Sequence, residues 1–136
     1  MSMRYLLDTN TCIYIAKHNP PAVRERFARH AASDLVMSVV TFGELRFGAE
    51  KSQSKEKARA AIQHLRSRIE VCPLPIVAAE HYVEIRAELQ KNGQTISNND
   101  LWIVAHARAE GWVVVTNNER EFQRVPGLVV ENWVTA

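Results

Sequence analysis

Tyr5-Leu6-Leu7-Asp8-Thr9-Asn10-Thr11 joins a short apolar run to an acid and then to amide and hydroxyl side chains. An apolar run bounded by a turn-forming Asp reads as a strand, with a helix following it. Runs of similar length and β-branched character recur at residues 35–38, 71–72, 113–115 and 128–130. Between them lie longer stretches of helical period, at 11–17, 21–31, 41–50, 55–68, 76–91 and 99–110, the last stopped by Gly111. This alternation predicts an α/β fold with a central, mainly parallel sheet of about five short strands flanked by helices. The polar breaks, Asn19-Pro20-Pro21, 51–54 and 91–97, are short, and neither a repeat nor a low-complexity tract interrupts the chain. One domain over residues 1–136 is the expectation.

Composition narrows the function classes. No apolar run approaches the roughly 20 residues of a membrane span, and the segment before Tyr5 lacks the features of a secretory signal, so a cytoplasmic protein is expected. Cys12 and Cys72 are far apart and belong to no Cys/His cluster, which points away from disulfides and zinc and toward small apolar packing groups. The net charge of +2, from 17 basic and 15 acidic residues, does not by itself announce a nucleic-acid partner. The basic residues do gather, at Arg24, Arg26 and Arg29 and again at Lys51, Lys55, Lys57, Arg59, Arg66 and Arg68. Arginine suits phosphate contact, although solvated helix faces explain either stretch.

Asp occurs only at positions 8, 34 and 100, and two of these stand where a strand ends or a helix begins. Asp8 follows the first strand, at the carboxyl edge where open α/β sheets bind ligands; an Asx turn is the structural alternative. Glu44 stands three residues after Thr41, a spacing that also makes a capping box. Asp100 precedes Leu101-Trp102-Ile103-Val104-Ala105, where a first-turn carboxylate is favoured by the helix dipole. Asn118 and Glu121 offer a fourth arrangement of the same kind. Each has a structural explanation, but together they share one edge of a parallel sheet. Carboxylates crowded there raise one another's pKa unless a cation neutralises them. An oxygen-rich site of that kind suits Mg²⁺ or Mn²⁺, and a pair of such ions suits in-line displacement at phosphorus.

These residues resemble the PIN-domain ribonucleases, and most closely the VapC toxins of bacterial toxin–antitoxin pairs. The resemblance is carried by Leu7-Asp8-Thr9-Asn10, Glu44-Leu45, Asn99-Asp100-Leu101-Trp102, Val115-Thr116-Asn117-Asn118, Arg120-Glu121-Phe122 and Pro126-Gly127-Leu128 before Glu131-Asn132-Trp133. It implies a PIN-like sandwich, Mg²⁺- or Mn²⁺-dependent cleavage of RNA, often transfer RNA, and homodimers. It also implies neutralisation by a VapB-type antitoxin, with DNA reached only through that complex. By position, Asp8, Glu44 and Asp100 match the metal-binding acids, Thr116 the hydroxyl beside them, and Glu121 the acid before Phe. Two departures stand out: Asn118 occupies a place where many relatives have Asp, and Ser97 one where they show Gly, which is expected to stiffen the loop into the last long helix.

Other residues have plainer readings. His106 lies almost two turns beyond Asp100 and suits a core or partner-facing position; His18, His30, His64 and His81 suit the surface, and the three tryptophans the core. The apolar residues Ile13, Tyr14, Ile15, Phe27, Phe42, Leu45 and Phe47 exceed what one small core readily hides. An amphipathic partner helix could cover them, with a basic residue near the carboxylates. Asp8-Thr9-Asn10-Thr11 is also similar to the motif of aspartyl-phosphate phosphatases, but Asn10 stands where those enzymes need a second Asp. A partner-binding module without activity is the remaining rival, against which the intact acids argue.

Overall fold

The computed structural model describes residues 3–134. Its strands are β1 (Tyr5–Leu7), β2 (Leu35–Ser38), β3 (Glu70–Cys72), β4 (Val113–Val115) and β5 (Val130–Glu131). They form one sheet in the order β3-β2-β1-β4-β5, and all four pairings are parallel. Seven α-helices accompany them: α1 (Thr9–Lys17), α2 (Pro21–Ala28), α3 (Val39–Glu50), α4 (Lys55–Arg66), α5 (Ala78–Lys91), α6 (Asn98–Glu110) and α7 (Glu119–Phe122).

Both faces of the sheet are covered, which is why its inner strands read as continuous apolar runs rather than alternating ones. Leu7, Leu35, Met37 and Val115 pack on one side with Ile15, Phe27, Leu45, Ile62, Leu65 and Trp133. Leu6, Val36, Cys72 and Val114 pack on the other with Ile85, Leu89, Leu101, Val104 and Phe122. Both cysteines are buried and free, as expected of small apolar groups.

Local chemistry sets most boundaries. Pro21 begins α2, where its missing N–H loses nothing, and Gly111 ends α6 at φ 73°. Helix α3 starts two residues before the expected position, because Ser38 caps it by accepting a hydrogen bond from the Val40 amide at 3.1 Å. The last strand runs over Val130–Glu131 rather than 128–130, since Gly127 turns the chain at φ 75° and Val130 is the residue that meets Val114.

Several side chains differ from their expected places. Trp133 is buried, but Trp102 and Trp112 are half-exposed: Trp102 stacks on Tyr82 at 3.9 Å, and Trp112 lies beneath the Arg4 guanidinium at 5.3 Å. His30 stacks on Trp133, and His81 Nδ1 accepts a bond from Arg108 at 2.8 Å, so neither is a plain surface residue. Of the seven apolar residues that looked surplus, Ile15, Phe27 and Leu45 are buried, Ile13, Tyr14 and Phe42 are half-buried, and Phe47 is exposed.

His106 is fully buried against Trp112, and neither ring nitrogen has a hydrogen-bond partner among the described residues. Burial pushes its pKa down to about 4. The unfolded chain protonates this imidazole near pH 6.5 while the folded chain keeps it neutral, so its contribution to stability is lost as pH falls from there toward 4. Urea unfolding of the metal-free protein at pH 7 and 4.5 is expected to show the parent losing on the order of 2 kcal/mol more than His106→Leu. Equal losses would show that His106 is not held neutral.

Candidate active site

The central position of β1 creates the site. Neighbouring strands lie on both sides of it, so the helices that follow β1 and β4 diverge and leave a crevice at the carboxyl edge. Leu7 pairs with Val115, and the Asp8 amide donates to the Val115 carbonyl at 3.0 Å, which sets Asp8 beside Thr116. The pairing of Leu6 with Val36, continued two residues, brings Asp8 level with Ser38 at the start of α3.

Asp8 is the N-cap of α1, its Oδ1 accepting from the Thr11 amide at 2.9 Å. It is only 5% exposed. The fully buried Thr116 hydroxyl donates to the same carboxylate while accepting from the Asn118 amide at 2.9 Å. Glu44 is not half of a capping box: Ser38 is the cap, Glu44 lies well inside α3, and the buried Thr41 hydroxyl accepts from Thr9 at 3.3 Å rather than capping the helix. The Glu44 carboxylate instead accepts from the Thr9 hydroxyl at 2.5 Å and from the Asn99 amide at 3.3 Å. Those two contacts tie α1, α3 and α6 together across the crevice.

Ser97, rather than merely stiffening its loop, is the N-cap of α6 and accepts from the Asp100 amide at 3.3 Å. Asp100 is thus a first-turn carboxylate, as expected, and it is half-buried. Asn118 occupies the N-cap position of α7 but makes no side-chain cap, because its amide group donates to Glu121 Oε2 at 2.9 Å. Asn118 therefore positions Glu121 instead of closing the turn.

Electrostatics join the four acids. Burial raises the Asp8 pKa, against hydrogen bonds from Thr116 and Thr11 that lower it, and Glu44 adds a further upward push. Burial also raises the Asp100 pKa, against a hydrogen bond from Ser97 that lowers it, and Asp8, Glu44 and Glu121 add smaller upward pushes. None of the four acids has an ion-pair partner among the described residues. The ion pairs among the described residues, Arg4–Glu70, Arg26–Glu131, Arg59–Glu50 and Arg108–Glu84, lie elsewhere.

The acids are within reach of one another's charge without forming a closed ligand cage: among the described residues, no three His, Cys, Asp or Glu side chains stand close enough to hold an ion as they lie. Even so, the donor set fits a hard divalent cation. It is all oxygen, it forms no ion pair among the described residues, and Mg²⁺ keeps several waters and takes few protein carboxylates. His106 lies inside the core, away from these acids.

Thr9 and Asn99, which orient Glu44, escaped the reading of the sequence. Thr9 had one available signal, a hydroxyl directly after the strand-end acid, while the amide pair Asn98-Asn99 looked only like the approach to a helix. Of the basic stretches, Arg59 pairs with Glu50 on an exposed helix face, as expected, whereas Arg26 is half-buried, ties α2 to Glu131 of β5 and lies over the Trp133 ring at 5.9 Å.

Comparison with known proteins agrees with this architecture. The PIN domain model matches residues 5–128. The tRNA(fMet)-specific endonuclease VapC of Shigella flexneri is 45% identical over 131 residues, covering 96% of this chain and 98% of its own length. Ribonuclease VapC2 of Haemophilus influenzae is 43% identical, covering 97% of this chain and 99% of its own. A DNA-bound VapBC structure from Salmonella typhimurium superposes with a TM-score of 0.90 at 43% identity, over 97% of this chain and 99% of that one. The chain therefore belongs to the PIN-domain family, among its VapC ribonucleases.

Proposed function

We propose that this chain is the toxin of a toxin–antitoxin pair, an endoribonuclease dependent on Mg²⁺ or Mn²⁺ that hydrolyses a phosphodiester of transfer RNA in the crevice between β1 and β4. The observation that carries this reading is the convergence of Asp8 and Asp100 at one edge of the sheet, where burial raises the pKa of both and neither has an ion-pair partner among the described residues. Asp8, Glu44 and Asp100 would hold the metal, with Glu121 completing the set. A divalent metal bound there supplies an activated water and charge stabilisation for the leaving oxygen.

The chain's own residues have distinct tasks around it. The Thr11 amide and the Thr116 hydroxyl fix the Asp8 carboxylate, so it does not have to be ordered when the cation arrives. Thr9 and Asn99 aim Glu44 from opposite sides, and Asn118 aims Glu121. The N-terminus of α6 bears on Asp100 and favours its ionised form, partly offsetting its burial.

The partner reading rests on a separate feature. An open groove of about 750 Å³ runs between α1, α3 and α4, floored by Ile13, Leu45, Ala49, Ala58 and Ile62, with Glu44 at one end. An amphipathic antitoxin helix fits that floor and could set a basic side chain against the carboxylates. Three relatives of known structure, from Rickettsia felis, Salmonella typhimurium and Haemophilus influenzae, are VapBC complexes. A second copy of the chain would cover Ile76, Val77 and Val83, an apolar band at the start of α5 of which Ile76 is 94% exposed. Among the described residues no helix is long and apolar enough to cross a membrane; a single domain working in the cytoplasm completes the proposal.

Two sets of measurements test it. Asp8→Asn and Asp100→Asn are expected to abolish Mn²⁺-dependent cleavage of transfer RNA, as chelation should in the parent. With chelator present, Asp100→Asn should also melt higher than the parent at pH 7.5, because the ionised carboxylate is what the folded state disfavours. That advantage should shrink as the pH falls and vanish near 4, where the unfolded carboxyl is itself protonated. Normal cleavage by either variant would remove the assignment. Glu121→Gln is expected to raise the metal concentration for half activity tenfold or more, about 1.4 kcal/mol; a titration overlaying the parent's would leave a three-carboxylate site.

A further inference from the structure

At the end away from Glu44, the apolar groove opens into a second cleft of about 70 Å³ between α1, α2 and α4. The two share Ala16, His18, Ala61 and Leu65 in their linings. Four basic side chains from three helices surround the smaller cleft: His18 at the end of α1, Arg24 on α2, His64 on α4 and Arg68 just beyond it. No Asp or Glu lines it, and Glu44 is the single acid lining the larger groove. None of the four takes part in an ion pair among the described residues. Arg68 is held over the Phe27 ring at 4.8 Å, at the apolar floor of the cleft.

Helix α1 therefore connects two sites of opposite charge. Asp8 caps its beginning and His18 its end. Ten residues at 1.5 Å each separate them by about 15 Å. Arg24 and Arg68 carry positive charges that face the cleft without an acid among its lining, so an anion there is attracted, and the two imidazoles offer it further hydrogen-bonding groups. Lys17 and Lys57 also line the groove, but the floor joining the two ends is aliphatic, and an apolar floor suits the side chains of a polypeptide rather than the phosphates of RNA.

We infer that the basic cleft is a docking site for an acidic side chain of the partner segment that occupies the groove, held by Arg24, Arg68, His18 and His64. This inference rests on the partner reading above and adds a charge pattern to it. The partner carries a basic residue toward Asp8 and Glu44 and an acidic one about 15 Å away, on the order of ten residues along a helix. The acid fixes the direction in which the segment lies, because reversing it would put like charges together at both ends.

The test uses the full chain and the product of the adjoining gene, purified together, separated and rebound in a calorimeter. The variants are Arg24→Glu and the double change Arg24→Gln with His64→Gln; both positions are exposed, and thermal melting checks the fold. Each variant is expected to bind the adjoining product at least tenfold more weakly, with a smaller dependence on salt, while cleaving RNA at the parent's rate in the partner's absence. Unchanged affinity for both variants would overturn the inference while leaving the partner reading intact. Loss of RNA cleavage with unchanged partner affinity would overturn it in favour of an RNA contact. If the adjoining product fails to bind even the parent, the partner reading itself falls and this inference with it.

Discussion

A carboxylate with almost no access to water stays charged only where something other than solvent stabilises the charge, and Asp8 is such a carboxylate. The chain meets part of that need with the Thr11 amide and the Thr116 hydroxyl. It then works against itself by bringing Glu44 near Asp8, and Asp8, Glu44 and Glu121 near Asp100. The imbalance is the constraint on which the rest of the site depends. Hydrogen bonds hold the acids in position, and none of them has an ion-pair partner among the described residues, so the carboxyls favour their protonated forms until a cation compensates the charge.

Parallel strands make this concentration of charge possible. Because every strand of the sheet ends at the same edge, residues far apart in sequence converge there without any one element being distorted. Covering helices on both faces exclude water from the strand ends, which strengthens the repulsion among the acids as well as any later attraction to a cation. Stability away from the site is supplied by the two apolar layers, so the edge can carry charges that a single small core could not otherwise tolerate.

The legible parts were those governed by local chemistry. Asp8 could be read as a strand-end acid because Tyr5-Leu6-Leu7 leads directly into it, and the end of α6 could be read from Gly111 alone. Glu44 was ambiguous because its spacing from Thr41 imitates a cap, and only the bond from Ser38 to Val40 shows where α3 starts. What could not be read was tertiary. Thr9 reaches Glu44 across 35 residues and Asn99 reaches it across 55, distances at which one sequence carries no pattern. Trp102 and Trp112 were expected inside on composition, but their stacking partners Tyr82 and Arg4 let them stay half-exposed. The basic cleft was equally hidden: Arg24, His64 and Arg68 sit in stretches that read as solvated helix faces, and folding alone brings them to one end of α1.

Burial first, and repulsion among the neighbouring acids second, raise the pKa of Asp8 and Asp100 in the crevice proposed to take a divalent cation. Calorimetric titration of the free chain with Mn²⁺ in two buffers of different ionisation heat tests this most directly, because a cation entering such a site must expel the protons that the raised pKa values retain. The expected result is a heat that depends on the buffer at mildly acid pH, with proton release that fades as the pH is raised and is smaller for Asp100→Asn. Mn²⁺ binding with the same heat in both buffers at every pH, or no binding at all, would contradict it.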